Sequence, residues 1–385
     1  MIKKEYYKNI HLNRIYVILT AFGITTLWVS YLLYKGMSLI EIGLLESIFH
    51  LTGFSFEIVT GALADKYGYK KILMLGRLSS LVSALMMVVS SSFWGFALAF
   101  IFSALSYNLN SGTNEALLFE SLKELNKESK YLSYTAKANL GFEISNAIGV
   151  FIAGIIAKDF FEATYYIAIV IAIISIICIH FMKEPNAKRT REMTIVHYLK
   201  EGYRDLRDNH KLLVIMLFFS SFDTILSVFY HYFQDYLGVL GYSKFMMSIM
   251  VVIALAFQIV ISYQVEKIVK KYPTKKIIIM LIIMLSCSLL IAKNHNFISL
   301  AISFAILMMI TTMSFILNNS YINEMIESKK RATMLSISSM FYSSTMIVLF
   351  PFFGWLITTV GYNVVFNSLI IVVLGMGSVV CGFVE

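Results

Sequence analysis

The chain has 385 residues, of which 58% are hydrophobic and only 14% charged, with a mean hydropathy of +0.75. Soluble domains carry about 25% charged residues, so a water-soluble globule is excluded, because that much apolar surface has no core to hide in. Cys178, Cys287 and Cys381 fall singly inside apolar runs without ligand spacing, as apolar fillers do, which speaks against a redox or metal site.

A bilayer core about 30 Å thick needs about 20 mostly apolar residues per helix. Runs of that length predict twelve spans, at 12–34, 38–63, 72–91, 93–121, 134–157, 162–182, 211–237, 243–265, 276–292, 296–326, 333–359 and 361–383. The first is of full span length and lacks a small-x-small cleavage site, so it is expected to be a helix and not a removable signal. Span 2 carries Glu46, His50, Gly53 and Glu57 at i, i+4, i+7 and i+11, on one narrow face. Two carboxylates and an imidazole in such a row can hand on protons; they can equally brace one helix against another. After it comes a tight, charged, glycine-bounded turn, Gly61-Ala62-Leu63-Ala64-Asp65-Lys66-Tyr67-Gly68-Tyr69-Lys70-Lys71.

Span 4 places Glu115 on a face with Asn108 and Ser111, and span 5 places Glu143 with Asn139 and Asn146, which extends an acidic lining or braces the helices. Span 5 continues with Gly149, Ala153 and Ala157, a small-residue row that lets a neighbouring helix approach closely. From Glu184 to Lys211 charges cluster and the apolar runs stop. The chain is therefore expected to divide into a half at 1–183, a cytoplasmic linker at 184–210 and a second half at 211–385. Within the linker Ile195, Leu199, Tyr203 and Leu206 share a helical face, as for a helix lying on the membrane surface or a plain solvated connection.

Span 7 carries Asp223, Ser227, Tyr230 and Gln234 on one face. Asp223 lies about 18 Å beyond Lys211 at 1.5 Å per residue, near the bilayer midplane, where a carboxylate either faces a cavity or is a buried hydrogen-bonded cap. Span 10 contains Asn319-Ser320-Tyr321-Ile322-Asn323-Glu324, which repeats the N-S-x-x-N-E pattern of Asn110-Ser111-Gly112-Thr113-Asn114-Glu115 in span 4 and points to duplicated halves.

Lysine and arginine favour cytoplasmic loops. With the N-terminus inside, 28 of the 32 fall on that side and only Lys35, Lys158, Lys244 and Lys293 outside. Both termini are thereby expected in the cytoplasm, and topology accounts for the net charge of +9 without a nucleic-acid partner. Arg77 and Lys137 are near enough to span ends to snorkel, which leaves an acidic interior that favours cations or neutral molecules over anions. No phosphate-binding loop or hydrolase motif occurs, so neither ATP, a cofactor nor enzymatic chemistry is expected.

The turn at Gly61–Lys71 resembles the loop motif G-x-L-x-D-x-x-G-R-K of the major facilitator superfamily, between spans 2 and 3 as in that family. Phe56–Thr60, Gly112–Leu122 and Arg331-Ala332-Thr333 are similar to bacterial drug-efflux members, although Tyr69 replaces the motif's arginine and span 4 lacks the arginine of many proton-driven exporters. The resemblance implies an all-α membrane protein of twelve transmembrane helices in two six-helix pseudo-symmetric halves, working by alternating access. It also implies a gate in which Asp65, framed by Gly61, Gly68, Lys70 and Lys71, meets the start of helix 11 near Arg331.

The expected function is proton-coupled export of amphipathic cationic or neutral compounds, with Asp223, Glu115, Glu143, Glu46, His50, Glu57, Tyr230 and Gln234 handling substrate and protons. One alternative is proton-coupled uptake of a small neutral nutrient such as a sugar or nucleoside, with Asn114, Asn318, Asn319, Asn323 and Gln258 supplying hydrogen bonds. Another is a non-transporting membrane scaffold or sensor. The expected partners are a small-molecule substrate, protons and the lipid bilayer, and the expected form is a monomer in a bacterial cytoplasmic membrane.

Overall fold

The computed structural model describes residues 2–186, 204, 206, 207, 209–326 and 331–383; the side chains of 2–4, 57–62, 65 and 331–333 fall outside that description. Every regular element among the described residues is helical. In chain order these are α1 (Ile2–Thr20), α2 (Trp28–Tyr34), α3 (Leu39–Tyr67), α4 (Tyr69–Val89), α5 (Phe93–Asn110), α6 (Thr113–Glu124), α7 (Tyr131–Ile156) and α8 (Ala163–His180). There follow α9 (His210–Val239), α10 (Lys244–Lys271), α11 (Thr274–Ala292), α12 (Phe297–Met325) and α13 (Arg331–Val380). Within hydrocarbon each backbone N–H and C=O must be satisfied inside its own segment, which is why apolar stretches of this length take the helical form.

Among the described residues nine helices are long and apolar enough to cross a bilayer. The 50 residues of α13 hold two crossings that meet at Gly361, whose φ of 77° lies in the left-handed region open to glycine. The first and fourth predicted spans are each broken in two, α1 with α2 and α5 with α6, which completes twelve crossings. Both breaks correct the expectation of continuous helices. In the first, Ala21–Leu27 leaves the helix where Gly23 lies against Asn146 and Gly149 of α7 so closely that a Cβ on either glycine would overlap the opposing residue. Ser145 of α7 donates to the carbonyl of Ile18 at 2.6 Å, satisfying an acceptor at the frayed end of α1. In the second, Ser111 takes an extended conformation and Gly112 a positive φ of 72°.

Polar caps fix several helix starts. Asn209 Oδ1 accepts from the backbone N–H of Leu212 at 3.1 Å, and Asn296 Oδ1 from Ser299 at 2.9 Å, each using a donor that a helix N-terminus leaves free. The chain divides into two compact units, Met1–Tyr31 with Ile48–Glu192, and Leu32–Ser47 with Met193–Glu385. In the first, Asn9 joins three segments, donating to Ser121 of α6 at 2.9 Å and to the carbonyl of Lys183 at 2.8 Å while accepting from the Lys183 N–H. Beside it the Lys183 ammonium pairs with Glu5 and holds that exposed carboxyl below its usual range.

In the second unit α9 and α12 are the inner helices, with 67% of their most apolar stretch buried against 39% for α10 and 44% for α11. Leu206 packs on Leu212, Met216, Ile322 and Met334 as part of that core; the linker residues Ile195, Leu199 and Tyr203 lie outside the described residues.

Candidate functional site

A polar array lies inside the apolar helices of the second unit. Asp223 sits near the middle of the 30-residue α9, and its carboxylate accepts a hydrogen bond from Ser314 of α12 at 2.5 Å. Among the described residues Ser314 is its hydrogen-bond partner, and no cation pairs with it. Asp223 keeps intermediate exposure although it lies near the middle of its helix.

Hydroxyl pairs flank it. Thr224, fully buried, shares a hydrogen bond with Thr345 at 2.6 Å, and Ser227 with Tyr342 at 2.7 Å, tying α9 to α13. One turn along α12 from Ser314, Asn318 donates to Ser338 at 3.3 Å while its amide oxygen, buried, meets no donor among the described residues. Tyr230 stacks on Phe304, which stacks in turn on Phe233, giving an aromatic wall next to the hydroxyls. Gln234 is buried on the same helix. Of the predicted span 7 face, Asp223 and Ser227 meet hydroxyls and Tyr230 meets an aromatic ring.

The residues singled out in the first unit are not gathered this way. Glu115 opens the first turn of α6 and is exposed. The break at Ser111–Gly112 separates it from the helix that carries Asn108, so the expected common face of Asn108, Ser111 and Glu115 does not form. Asn108 instead donates to the carbonyl of Gly53 at 2.7 Å, and Asn114 accepts from Asn13 at 2.6 Å. The same break means that the repeated N-S-x-x-N-E pattern is a kink in span 4 and unbroken helix in α12.

Glu143 keeps intermediate exposure on α7, where its group is joined by Asn146 beside the broken helix 1. Of the span 2 row, Glu46 and His50 are both buried on α3, Gly53 engages Asn108, and the Glu57 side chain lies outside the described residues. Arg77 corrects the snorkelling expectation. Its guanidinium turns inward, donating to Ser106 at 3.0 Å and lying 5.7 Å from the ring centroid of Tyr16, whose hydroxyl bonds Asn110.

The loop motif acquires a partner that sequence reasoning missed. Gly68, at a φ of 99°, begins α4, and the carboxylate of Glu184 accepts the N–H groups of both Tyr69 and Lys70 at 2.8 Å. An anion on free backbone donors at a helix start is stabilised by the helix dipole. Lys70 also reaches the carbonyl of His180 at 2.6 Å, while Lys71 is exposed. The side chains of Asp65 and Arg331 lie outside the described residues, as does any detail of Gly61 beyond its place in α3. Among the described residues no cluster of His, Cys, Asp and Glu fits a metal ion.

The family model of the Major Facilitator Superfamily matches residues 15–292 and 240–384. The chain belongs to that superfamily. Its curated relatives include an uncharacterized transporter of Buchnera aphidicola subsp. Schizaphis graminum (strain Sg), 29% identical over 42% of this chain and 40% of the relative. Another is the uncharacterized MFS-type transporter YxaM of Bacillus subtilis (strain 168), 25% identical over 58% of this chain and 57% of the relative. The chain thus spans between two fifths and three fifths of the length of these relatives.

Among solved structures, the nucleoside transporter NupG superposes with a TM-score of 0.82 at 13% identity, covering 98% of both chains. A D-xylose-proton symporter does so at 0.75 and 11%, covering 98% of this chain and 97% of that one. At such identities the likeness shows the fold alone, an all-α helical bundle. Within this fold Asp223 and its hydroxyl neighbours occupy the middle of α9 and α12, the two most enclosed helices of their unit.

Proposed function

We propose that this transporter takes up a small neutral, hydroxyl-bearing nutrient, a sugar or a nucleoside, together with a proton, by alternating access. The observation that carries this is Asp223, a mid-helix carboxylate bonded to Ser314 at 2.5 Å, set among hydroxyls and amides and facing no cation among the described residues. A lone carboxylate at that depth costs several kcal/mol unless it holds a proton or meets a partner. Protonation therefore readies the site for a ligand that needs no counter-charge.

The flanking Thr224, Ser227, Tyr342 and Asn318 offer the donors and acceptors that a polyol or nucleoside exchanges for water, and the Tyr230–Phe304 stack offers a ring face. The two structural neighbours named for nucleoside and D-xylose transport support this choice over drug export. We further assign Glu46, His50 and Glu57 of α3 to proton passage, with Glu115 and Glu143 as secondary carboxylates. Asp65 is assigned to the gate with Arg331, and both termini, on the lysine and arginine distribution, to the cytoplasm of a bacterial cell.

The test is proton movement in proteoliposomes loaded with a pH dye. Adding D-xylose or uridine should drive protons inward with the ligand, and Asp223→Asn should keep ligand exchange while losing proton-driven accumulation. If neither compound moves protons while a lipophilic cation such as ethidium does so in the opposite sense, the export function replaces uptake.

A further inference from the structure

At the lysine-poor end of the second unit, opposite the Lys267–Lys276 turn, lies a cavity of about 580 Å³ that the central site does not use. Small-ligand sites run from about 300 to 1,000 Å³. Its chemistry comes from the start of α3 (Ser38), the end of α9 (Asp235, Tyr236), the turn after α11 (His295) and the Gly361 junction of α13 (Thr358, Tyr362). One edge is therefore built where Gly361 breaks the helical path of α13.

The carboxylate of Asp235 is held from one side only. Tyr362 donates to its Oδ2 at 2.6 Å, and the same hydroxyl lies 3.1 Å from the carbonyl of Tyr232. Its Oδ1 has no hydrogen-bond partner among the described residues. The rings beside it are fixed in place: Tyr236 is anchored by its hydroxyl to the carbonyl of Ala292 at 3.0 Å, and its ring lies 4.7 Å from that of Tyr362 at 45°. A carboxylate with one oxygen unpartnered among the described residues, next to two anchored tyrosine rings, is suited to a ring that stacks and donates hydroxyls.

Charge narrows the choice. Lys244, at the start of α10, offsets part of the charge of Asp235 without forming a salt bridge among the described residues. An anion would be repelled by the carboxylate, and a cation gains less from it because Lys244 already offsets that charge. A neutral ligand avoids the repulsion, and its hydroxyls find an acceptor in Asp235 and further partners in Thr358 and His295.

We propose that this cavity is a second, outer binding site for a neutral polyhydroxylated ring compound, sugar or nucleoside, separate from the central site around Asp223. The inference rests on the substrate class proposed above and adds a place where that substrate is held at the end of the protein away from its lysine-rich turns.

Calorimetric titration of the purified full chain in lipid nanodiscs tests it, with D-xylose and uridine as separate probes. The wild type should take up two equivalents of whichever compound binds. Asp235→Asn should weaken one of them about tenfold, the size expected from losing a charge-assisted hydrogen bond, while Asp223→Asn, which keeps ligand exchange, leaves both in place. Tyr362→Phe keeps the ring but frees Asp235, and should weaken the outer equivalent alone, which covers the case in which Asp235→Asn fails to fold. A thiol at Thr358→Cys, introduced in the Asp223→Asn background, should be protected from maleimide by the ligand. A single equivalent that neither Asp235→Asn nor Tyr362→Phe changes would overturn the outer site and leave the proposed function standing. Failure of both compounds to bind the wild type would overturn the substrate class, and the outer site with it.

Discussion

The first turns of α3 offer a test of which contacts hold this protein in the state described. Leu39–Ser47 packs with the second unit, where Gly43 lies on the backbone of Pro351 and Gly354 on the carbonyl of Leu39. Tyr232, 1% exposed, places its hydroxyl 3.1 Å from the Leu39 carbonyl and 3.0 Å from that of Phe350, joining α9, α3 and α13 at one point. A Cβ at position 43 would strike the Pro351 backbone, which has no flexible end to move aside. Overpacking of that kind costs about 1–3 kcal/mol.

Gly43→Ala should therefore disfavour the docked arm by about 5- to 150-fold relative to a state in which it has come away. Tyr232→Phe removes one shared hydrogen bond, a milder loss of about 1 kcal/mol. The assay is the rate at which an impermeant maleimide labels Leu39→Cys, a position 9% exposed when docked, in a background without Cys178, Cys287 and Cys381. Gly375→Ala, with open space around its Cβ, is the control. Labelling should speed up strongly in Gly43→Ala, modestly in Tyr232→Phe and not at all in the control. Equal rates in all three, with unchanged transport, would refute the idea that close backbone packing at Gly43 holds the arm.

Asp223→Asn should leave counterflow of a neutral substrate intact and abolish its accumulation against a gradient, read as tracer uptake with and without an imposed pH difference. Glu184→Gln keeps the shape but removes the anion from the start of α4, and should lower stability by about 0.5–1 kcal/mol, seen as a lower midpoint in a thermal unfolding assay. Gly149→Val should be far more damaging than Ala153→Val scaled to size, because position 149 meets the backbone at Gly23, and expression of folded protein reports the difference. Asp65→Asn should weaken the expected gate by about 1 kcal/mol and raise cytoplasmic labelling of a nearby cysteine; unchanged labelling and transport would reduce the motif to a plain turn.

Most of the fold was legible because a bilayer imposes a simple requirement, about 20 apolar residues per crossing, and the chain meets it again and again. The break at Ser111–Gly112 went unread although a Ser-Gly pair is a usual place for a helix to kink, because the N-S-x-x-N-E repeat drew attention to similarity where the two copies differ in backbone. The break at Ala21–Leu27 had only Gly23 as a local signal. Its cause is tertiary, the close seat of Gly23 on Asn146 and Gly149 more than a hundred positions away, and no window along the sequence contains it.

The same division runs through the site. Helical spacing alone put Asp223, Ser227, Tyr230 and Gln234 on one side of α9, because periodicity is a property of a single helix. What that side does depends on what it faces, and Ser314, Tyr342 and Phe304 arrive from other helices. Export of cations was a sound expectation from carboxylates counted one helix at a time. Ser314 of α12 bonds Asp223, and the α13 hydroxyls bond its neighbours Thr224 and Ser227. On the proposed uptake function the ligand that best replaces such contacts carries hydroxyls itself, and a proton on the carboxylate takes the place of a positive charge on the ligand, which is why loss of the carboxylate should uncouple transport before it abolishes binding.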